Sequence, residues 1–271
     1  MRKRFSSLLL MGGIAYSLSV PGAFSVVAQE ATPPVKASPG ENSPTQKAPV
    51  ESTDKTTPAP QPLPGPEKLL NGGNFWDHWK YFSEEEKEEN RNVTWKVVSG
   101  GKDQPSILIC SGKPYGYIRT QKSYENFQFS MEWMYPNDPN ANSGILLFTT
   151  EPEKVWPKAF QVQLHRPEVG NVFPTPGSGA KSANTLSPAT PLNLPVGKWH
   201  KCVLTCRQGT ISVMINGVKL GEVNGCDPSK GAIALQSEGS EIHFRNLVVE
   251  ILPPEPAPQK EPVAQQKGND S

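Results

Sequence analysis

The sequence predicts an all-β fold, a two-sheet antiparallel jelly-roll sandwich, and three observations lead there. Apolar and polar residues alternate in one short run after another, turn-forming residues separate those runs, and no helices alternate with them. Without intervening helices there are no crossovers to build a parallel sheet, and strands with one apolar face each must bury those faces against one another.

The runs follow in order as Ser106–Cys110, Tyr115–Thr120, Phe127–Tyr135, Gly144–Thr149, Phe160–His165, Trp199–Cys206, Ile211–Ile215, Val218–Val223, Ile233–Gln236 and Ile242–Ile251. In Phe127–Tyr135 the residues Phe127, Phe129, Met131, Trp133 and Tyr135 point one way, while Gln128, Ser130 and Glu132 point the other. One face is therefore core and the other polar. Asn216-Gly217 between two such runs marks a type I′ hairpin, because both central residues of that turn need positive φ. The one helix-like stretch is Ser83–Asn90, where Ser83 and Glu86 have capping-box spacing and Glu84, Glu85, Glu88 and Glu89 form a solvated acidic face.

The ends have a different composition. Met1-Arg-Lys-Arg4, an apolar Leu8–Val20 and small residues up to Ala28 read as a secretory leader, residues 1–28, cleaved on export to the periplasm or the exterior. That apolar run is too short to span a bilayer, and no later segment is apolar enough to do so. Residues 29–66 are rich in Pro, Thr, Ser, Lys and Glu, which cannot bury enough surface to offset the entropy of ordering, so they read as a disordered stalk. Residues 253–271 repeat that composition as a tail, leaving 67–252 as the folded domain.

The formal net charge of the 271-residue chain is +1, with basic residues scattered rather than gathered in a stripe, which argues against a nucleic-acid surface and favours a neutral ligand. Four cysteines, Cys110, Cys202, Cys206 and Cys226, allow three disulfide connectivities outside the cytoplasm, or four buried thiols. Neither the cysteine spacing nor the isolated His78, His165, His200 and His243 makes a metal motif; the cofactor is unknown, and the sequence leaves a divalent metal open.

Four segments stand in a telling order: Leu69-Leu70-Asn71-Gly72-Gly73 with Trp79; Glu132-Trp133 with Asn142-Ser143-Gly144-Ile145; Phe160-Gln161-Val162-Gln163-Leu164; and Leu235-Gln236-Ser237-Glu238-Gly239 with Phe244-Arg245-Asn246. With Trp199 and Asn216-Gly217 between them, they resemble the 3-keto-disaccharide hydrolase domain, a family with a concanavalin-like sandwich, over nearly all of 67–252. The resemblance implies an exported protein cleaving a 3-keto-glycoside or a related saccharide, as a hydrolase or a lyase. A non-catalytic carbohydrate-binding or surface-attachment module is the alternative.

The implied chemistry needs a base for the C2 proton made acidic by the C3 ketone, an acid for the leaving oxygen, and donors or a metal at the enolate oxygen. Glu132 is the first candidate for base or orienting carboxylate, Glu238 the second, and His165 a candidate acid. Asn142, Ser143, Gln161, Gln163 and Arg245 are candidate sugar-binding residues. Each also has a plainer reading: a pair with a neighbouring cation for Glu132 and Arg245, an exposed turn for Glu238, a turn for Asn142 and Ser143. Gln161, Gln163 and His165 alternate to one face of their run, as Gln128, Ser130 and Glu132 do, and coincidence of the two faces would make a polar floor. The chain also departs from the family. Gln161 stands where many members carry Glu, and Arg166-Pro167 follow His165 where an acidic residue is common, so two carboxylates are gone and a binding role gains ground. Trp76, Trp79 and Trp156 are either core or platforms for sugar rings, and the Pro- and Gly-rich 167–195 is either a lid or an ordered loop.

Overall fold

The computed structural model describes residues 62–70, 74–85, 90–151, 153–166, 168–181 and 192–254. The leader, most of the Pro-rich stalk and nearly all of the tail lie outside the described residues.

Among the described residues fourteen strands make two antiparallel sheets. The larger sheet runs in the order β12 (Val218–Val223), β11 (Thr210–Ile215), β10 (His200–Arg207), β6 (Phe127–Met134), β14 (Ile242–Ile251), β4 (Ile107–Cys110), β3 (Trp95–Val98). The short β1 (Glu67–Lys68) also pairs with β14. The smaller sheet runs β2 (Trp79–Ser83), β5 (Gly116–Thr120), β13 (Ala232–Ser237), β7 (Gly144–Thr149), β8 (Phe160–Gln163), β9 (Val172–Pro174). Sequence neighbours are often not sheet neighbours: β6 lies between β10 and β14, and β13 between β5 and β7, as a sandwich with long-range pairing requires.

Alternation places the core. In β6 buried and half-buried residues alternate without a break, sending Phe127, Phe129, Met131 and Trp133 inward. They meet Ile145, Leu147, Phe160, Val162 and Leu235 of the smaller sheet in one continuous apolar cluster. Trp95 stacks on Phe244 at 6.3 Å between centroids and Phe148 meets Phe127 edge-on at 6.0 Å, arrangements that aromatic quadrupoles favour. The hydroxyl of Tyr135 donates to the carbonyl of Leu164 at 2.5 Å, tying the end of β6 to the end of β8 across the sandwich.

The Asn216-Gly217 turn joins β11 and β12 with φ of 48° and 82°, the mirror-image turn whose twist suits a hairpin. Asn216 adds a side-chain bond to the Lys201 backbone N–H at 2.8 Å. Only the ends of the expected helix at Ser83–Asn90 are described, and there Ser83 belongs to a strand. Ser83 is the last residue of β2, its hydroxyl accepting from the Glu85 N–H at 3.2 Å, and the described helical turn is α1 (Arg91–Thr94) instead. Residues 86–89 lie outside the described residues.

All four cysteines are buried free thiols. Loss of water around the sulfur pushes the Cys110 thiol up to about 12 and that of Cys226 to about 11, with Cys202 and Cys206 also raised by burial. They stay protonated at neutral pH and act as small apolar core residues. No described helix is long and apolar enough to cross a membrane.

Candidate functional site

The strand registers show which candidate residues share a face. In β7, Ile145 and Leu147 point into the core, so Gly144 and Leu146 face outward; in β13, Ile233 and Leu235 point in and Ala234 and Gln236 out. The register then lays a row across the outer face of the smaller sheet: Phe82 and Tyr117 paired, Tyr117 opposite Gln236, and Gly144 opposite Gln163. The β13–β7 register, Leu235 opposite Ile145, carries Gln236 to Gly144. A second row is Lys80, Arg119, Ala234, Leu146 and Gln161.

One step further along the same registers, beyond the strand ends, Glu238 comes beside Asn142 and His165 opposite Asn142. The Leu164 N–H bonds the Ser143 carbonyl at 3.0 Å, and Gly239 packs near the Tyr115 hydroxyl, extending the alignment. Asn142, Gln161, Gln163, His165 and Glu238 therefore gather on one face at one end of the six-stranded sheet.

Two details shape this surface. A Cβ built on Gly144 would lie 2.0 Å from Gln236 Oε1 and 3.1 Å from Gln161 Nε2, so the bare glycine is what lets the two amides approach across the strand. Gln163 turns its Oε1 onto its own chain, accepting from the Leu164 and His165 N–H groups at 2.9 and 3.0 Å.

Three amide and carboxyl oxygens on this face have no donor, Gln236 Oε1, Asn142 Oδ1 and Glu238 Oε2, all buried, and the buried Tyr117 hydroxyl opposite Gln236 has no partner either. Each such atom left unmade costs roughly 1–3 kcal/mol. Their convergence at one sheet end asks for a ligand that brings hydroxyl donors. Burial raises the Glu238 carboxyl to about 7, with the Asn142 side-chain hydrogen bond working the other way. A carboxyl poised there exchanges a proton near neutral pH.

The connection from β7 to β8 is drawn over the rest of the face by Arg119, whose guanidinium pairs with Glu151 and, at 2.6 Å, with Glu153. Tyr117, Leu146, Ala159 and Ala234 form a small apolar cluster beneath it. The same connection carries Trp156, which is 40 % exposed, whereas Trp79 is buried in the core and donates its indole N–H to the Leu69 carbonyl.

Glu132 and Arg245 do not join this group. They belong to the larger sheet, where Met131, Trp133 and Phe244 point inward and Glu132 and Arg245 point outward on the far side of the sandwich. The two polar faces considered above thus do not coincide. Arg245 Nε and Nη2 hold Glu132 Oε2 at 2.7 and 2.6 Å, Asn246 donates to Glu132 Oε1 at 3.2 Å, and the guanidinium lies 4.2 Å over the Trp199 ring. With both partners about a quarter exposed, this is a partly screened, stacked ion pair. Glu132→Gln is expected to cost about 1 kcal/mol in a urea titration. Ser143 lies at the sheet end but is fully buried, its hydroxyl spent on the Gln236 carbonyl at 2.8 Å.

Gln236 and Arg119 were not among the candidates from sequence. The signal for Gln236 was available: it sits two residues before Glu238 and so shares its face. Arg119 had none, because its carboxylate partners come from a loop. Among the described residues no group of three or more His, Cys, Asp or Glu side chains is placed to hold a metal. One carboxylate among amides is a poor donor set for a hard divalent cation.

The Gly144→Ala protein is expected to fold, at a cost within about 1–3 kcal/mol, because the clash falls on the mobile end of Gln236. Saccharide binding should weaken at least about tenfold, the equivalent of one lost hydrogen bond, as measured by calorimetric titration.

Comparison with solved structures gives a candidate glycosyl hydrolase from Parabacteroides distasonis, 21% identical, with a TM-score of 0.51, covering 70% of this chain and 95% of that one. A second candidate glycosyl hydrolase from the same organism is 21% identical with a TM-score of 0.48, covering 69% and 99%. A carbohydrate binding module from Bacillus subtilis is 12% identical with a TM-score of 0.45, covering 64% and 95%. At these identities the first likeness is one of fold. No curated protein matches the chain. The family described as the 3-keto-alpha-glucoside-1,2-lyase-like domain matches residues 65–250, all but the last residue of the two sheets, and the chain belongs to that family.

Proposed function

We propose that the protein is an exported, glycoside-cleaving enzyme that takes a 3-keto-glycoside or a related saccharide on the outer face of the six-stranded sheet. The observation that carries this reading is the set of three donor-less buried acceptors, Gln236 Oε1, Asn142 Oδ1 and Glu238 Oε2, beside a carboxyl raised to about 7. A polyhydroxylated ligand supplies the missing donors. Family membership supports the substrate class.

In this reading Glu238 is the base. Its ionised form takes the proton from C2, the electron pair moves into an enolate with the C3 carbonyl, and the C1–O bond then breaks as the leaving oxygen takes a proton. Water adds at C1 of the resulting unsaturated ketone and C2 is reprotonated. Asn142 orients the Glu238 carboxylate, the Gln161 and Gln236 amides hold sugar hydroxyls, and His165 serves as the acid at the sheet end.

One observation favours a second reading, a module that holds sugar without cutting it. The residues aligned with Glu238 offer amides and an imidazole but no second carboxylate. The test is product release from a panel of 3-keto-glycosides by the full chain, beside Glu238→Gln and Glu132→Gln. Release lost only in Glu238→Gln supports the enzyme. Saturable binding with no release from any substrate leaves the module.

A further inference from the structure

A second polar cleft lies at the other edge of the smaller sheet, away from Glu238. It has a volume of about 490 Å³ and is lined by Trp76, Asp77, Lys80, Tyr81, Gln121 and Glu153 among others. A space of this size is in the range that small ligands occupy. Its central wall is Trp76, which is held on several sides. The Trp76 indole N–H donates to Asn92 Oδ1 at 3.0 Å, the Arg91 guanidinium lies 4.4 Å over the ring, and Gln121 Nε2 donates to the Trp76 carbonyl at 3.0 Å. Such a preset aromatic loses little entropy when a ligand packs on it.

Tyr81 and Trp79 are also among the lining residues, but their side chains point into the core, on the opposite face of β2 from Lys80. Trp76 also lines a neighbouring cleft of about 620 Å³, together with Asn74, Asn92 and Lys96. The indole of Trp76 is thus shared by two clefts with polar groups in their linings.

The charges decide the ligand class. Asp77 and Glu153 stand against an anion, and Lys80 and Arg91 against a cation, whereas amides, carboxylates and an ammonium together suit groups that both donate and accept. Sugar hydroxyls do both, and the edge of the indole, or the face that Arg91 leaves uncovered, suits the apolar side of a pyranose ring.

We propose that the Trp76 cleft is a second, non-catalytic saccharide site, which binds a neutral glycan independently of the Glu238 site. The two sites on one domain would raise the effective concentration of a glycan chain at the Glu238 end.

The test is calorimetric titration of the full chain with three neutral probes: cellotetraose, laminaritetraose and maltotetraose. The background is Gly144→Ala, which weakens the first site. Asp77→Ala combined with Lys80→Ala removes two of the cleft's exposed polar groups and leaves the core intact. The expected result is saturable binding of at least one tetraose in Gly144→Ala, weakened at least tenfold by adding the paired substitution. Release of product from 3-keto-glycosides by the Asp77→Ala, Lys80→Ala protein should match that of the unaltered chain. Binding within twofold in the presence and absence of the pair overturns the proposal, as does failure of all three probes to saturate at about 10 mM. Failure of the Glu238 reading shows instead in the keto-glycoside release assay, so the two are told apart.

Discussion

The Glu238→Gln protein should release sugar from a 3-keto-glycoside about 10²–10⁴-fold more slowly than the unaltered chain, the usual loss on removing a positioned base. The isosteric amide keeps the shape of the site and its contact with Asn142 but cannot take the C2 proton. KM should move less than kcat, since the amide still fills the same place. The pH profile sharpens the test. A base must be ionised, so release by the unaltered chain should rise as pH passes upward through about 7, where burial has put the Glu238 carboxyl. A flat profile across that range, or an unchanged rate in the variant, would move the base elsewhere.

The same shift has a consequence for stability, and its sign follows from where the proton is held. In the fold the carboxyl keeps its proton up to about 7, against an ordinary value of 4.5 when the chain is open. Between those values the folded state binds more protons than the unfolded state, so this group's contribution is full below about 4.5 and declines as pH rises through about 7. Glu238→Gln should remove that decline from urea midpoints measured between pH 4.5 and 7.

Phe244→Ala should cost about 3–5 kcal/mol, seen as a large drop in the urea midpoint with an unchanged slope. Phe244 is fully buried, stacks on Trp95, and sits on β14 between Leu108 of β4 and Trp133 of β6, at the centre of the larger sheet. Rigid strands on both sides cannot collapse into the space that its ring leaves, so both the transfer term and the cavity term are felt. Its neighbour Arg245 is the internal control. It points to the other face, and Arg245→Ala should cost about 1 kcal/mol, because it frees a carboxylate about a quarter exposed and one indole face rather than opening the core. Comparable losses for the two variants would contradict the facing assigned here.

Much of the fold was legible because strand chemistry is local. The alternation in Phe127–Tyr135 reads directly as an inward aromatic row, and Asn216-Gly217 reads as a turn because few other pairs tolerate positive φ twice. The capping role expected of Ser83 shows where a local signal misleads. Its hydroxyl instead closes the end of a strand, donating to the Tyr115 carbonyl at 2.9 Å, because Ser83 pairs with Gly116 of β5.

The site was legible in part. Parity along each strand showed that Gln161 and Gln163 share a face, and that Glu132 shares one with Ser130 and Gln128. Parity does not say which sheet a strand joins. Glu132 and Glu238 are equally good carboxylates in the sequence, and only the strand order separates them. It puts Glu132 opposite Arg245 on one outer face and carries Glu238 to Asn142 on the other.

By itself, then, the sequence determined the all-β class, the Asn216-Gly217 turn, the inward and outward residues of Phe127–Tyr135 and the family to which the chain belongs, since all of these are written in spacing and order along the chain. The tertiary structure decided which outward faces meet, which carboxyl loses its water and is raised to about 7, and which acceptors are left without donors. Those properties depend on what packs against a side chain from strands a hundred residues away, and burial, unlike periodicity, leaves no local trace.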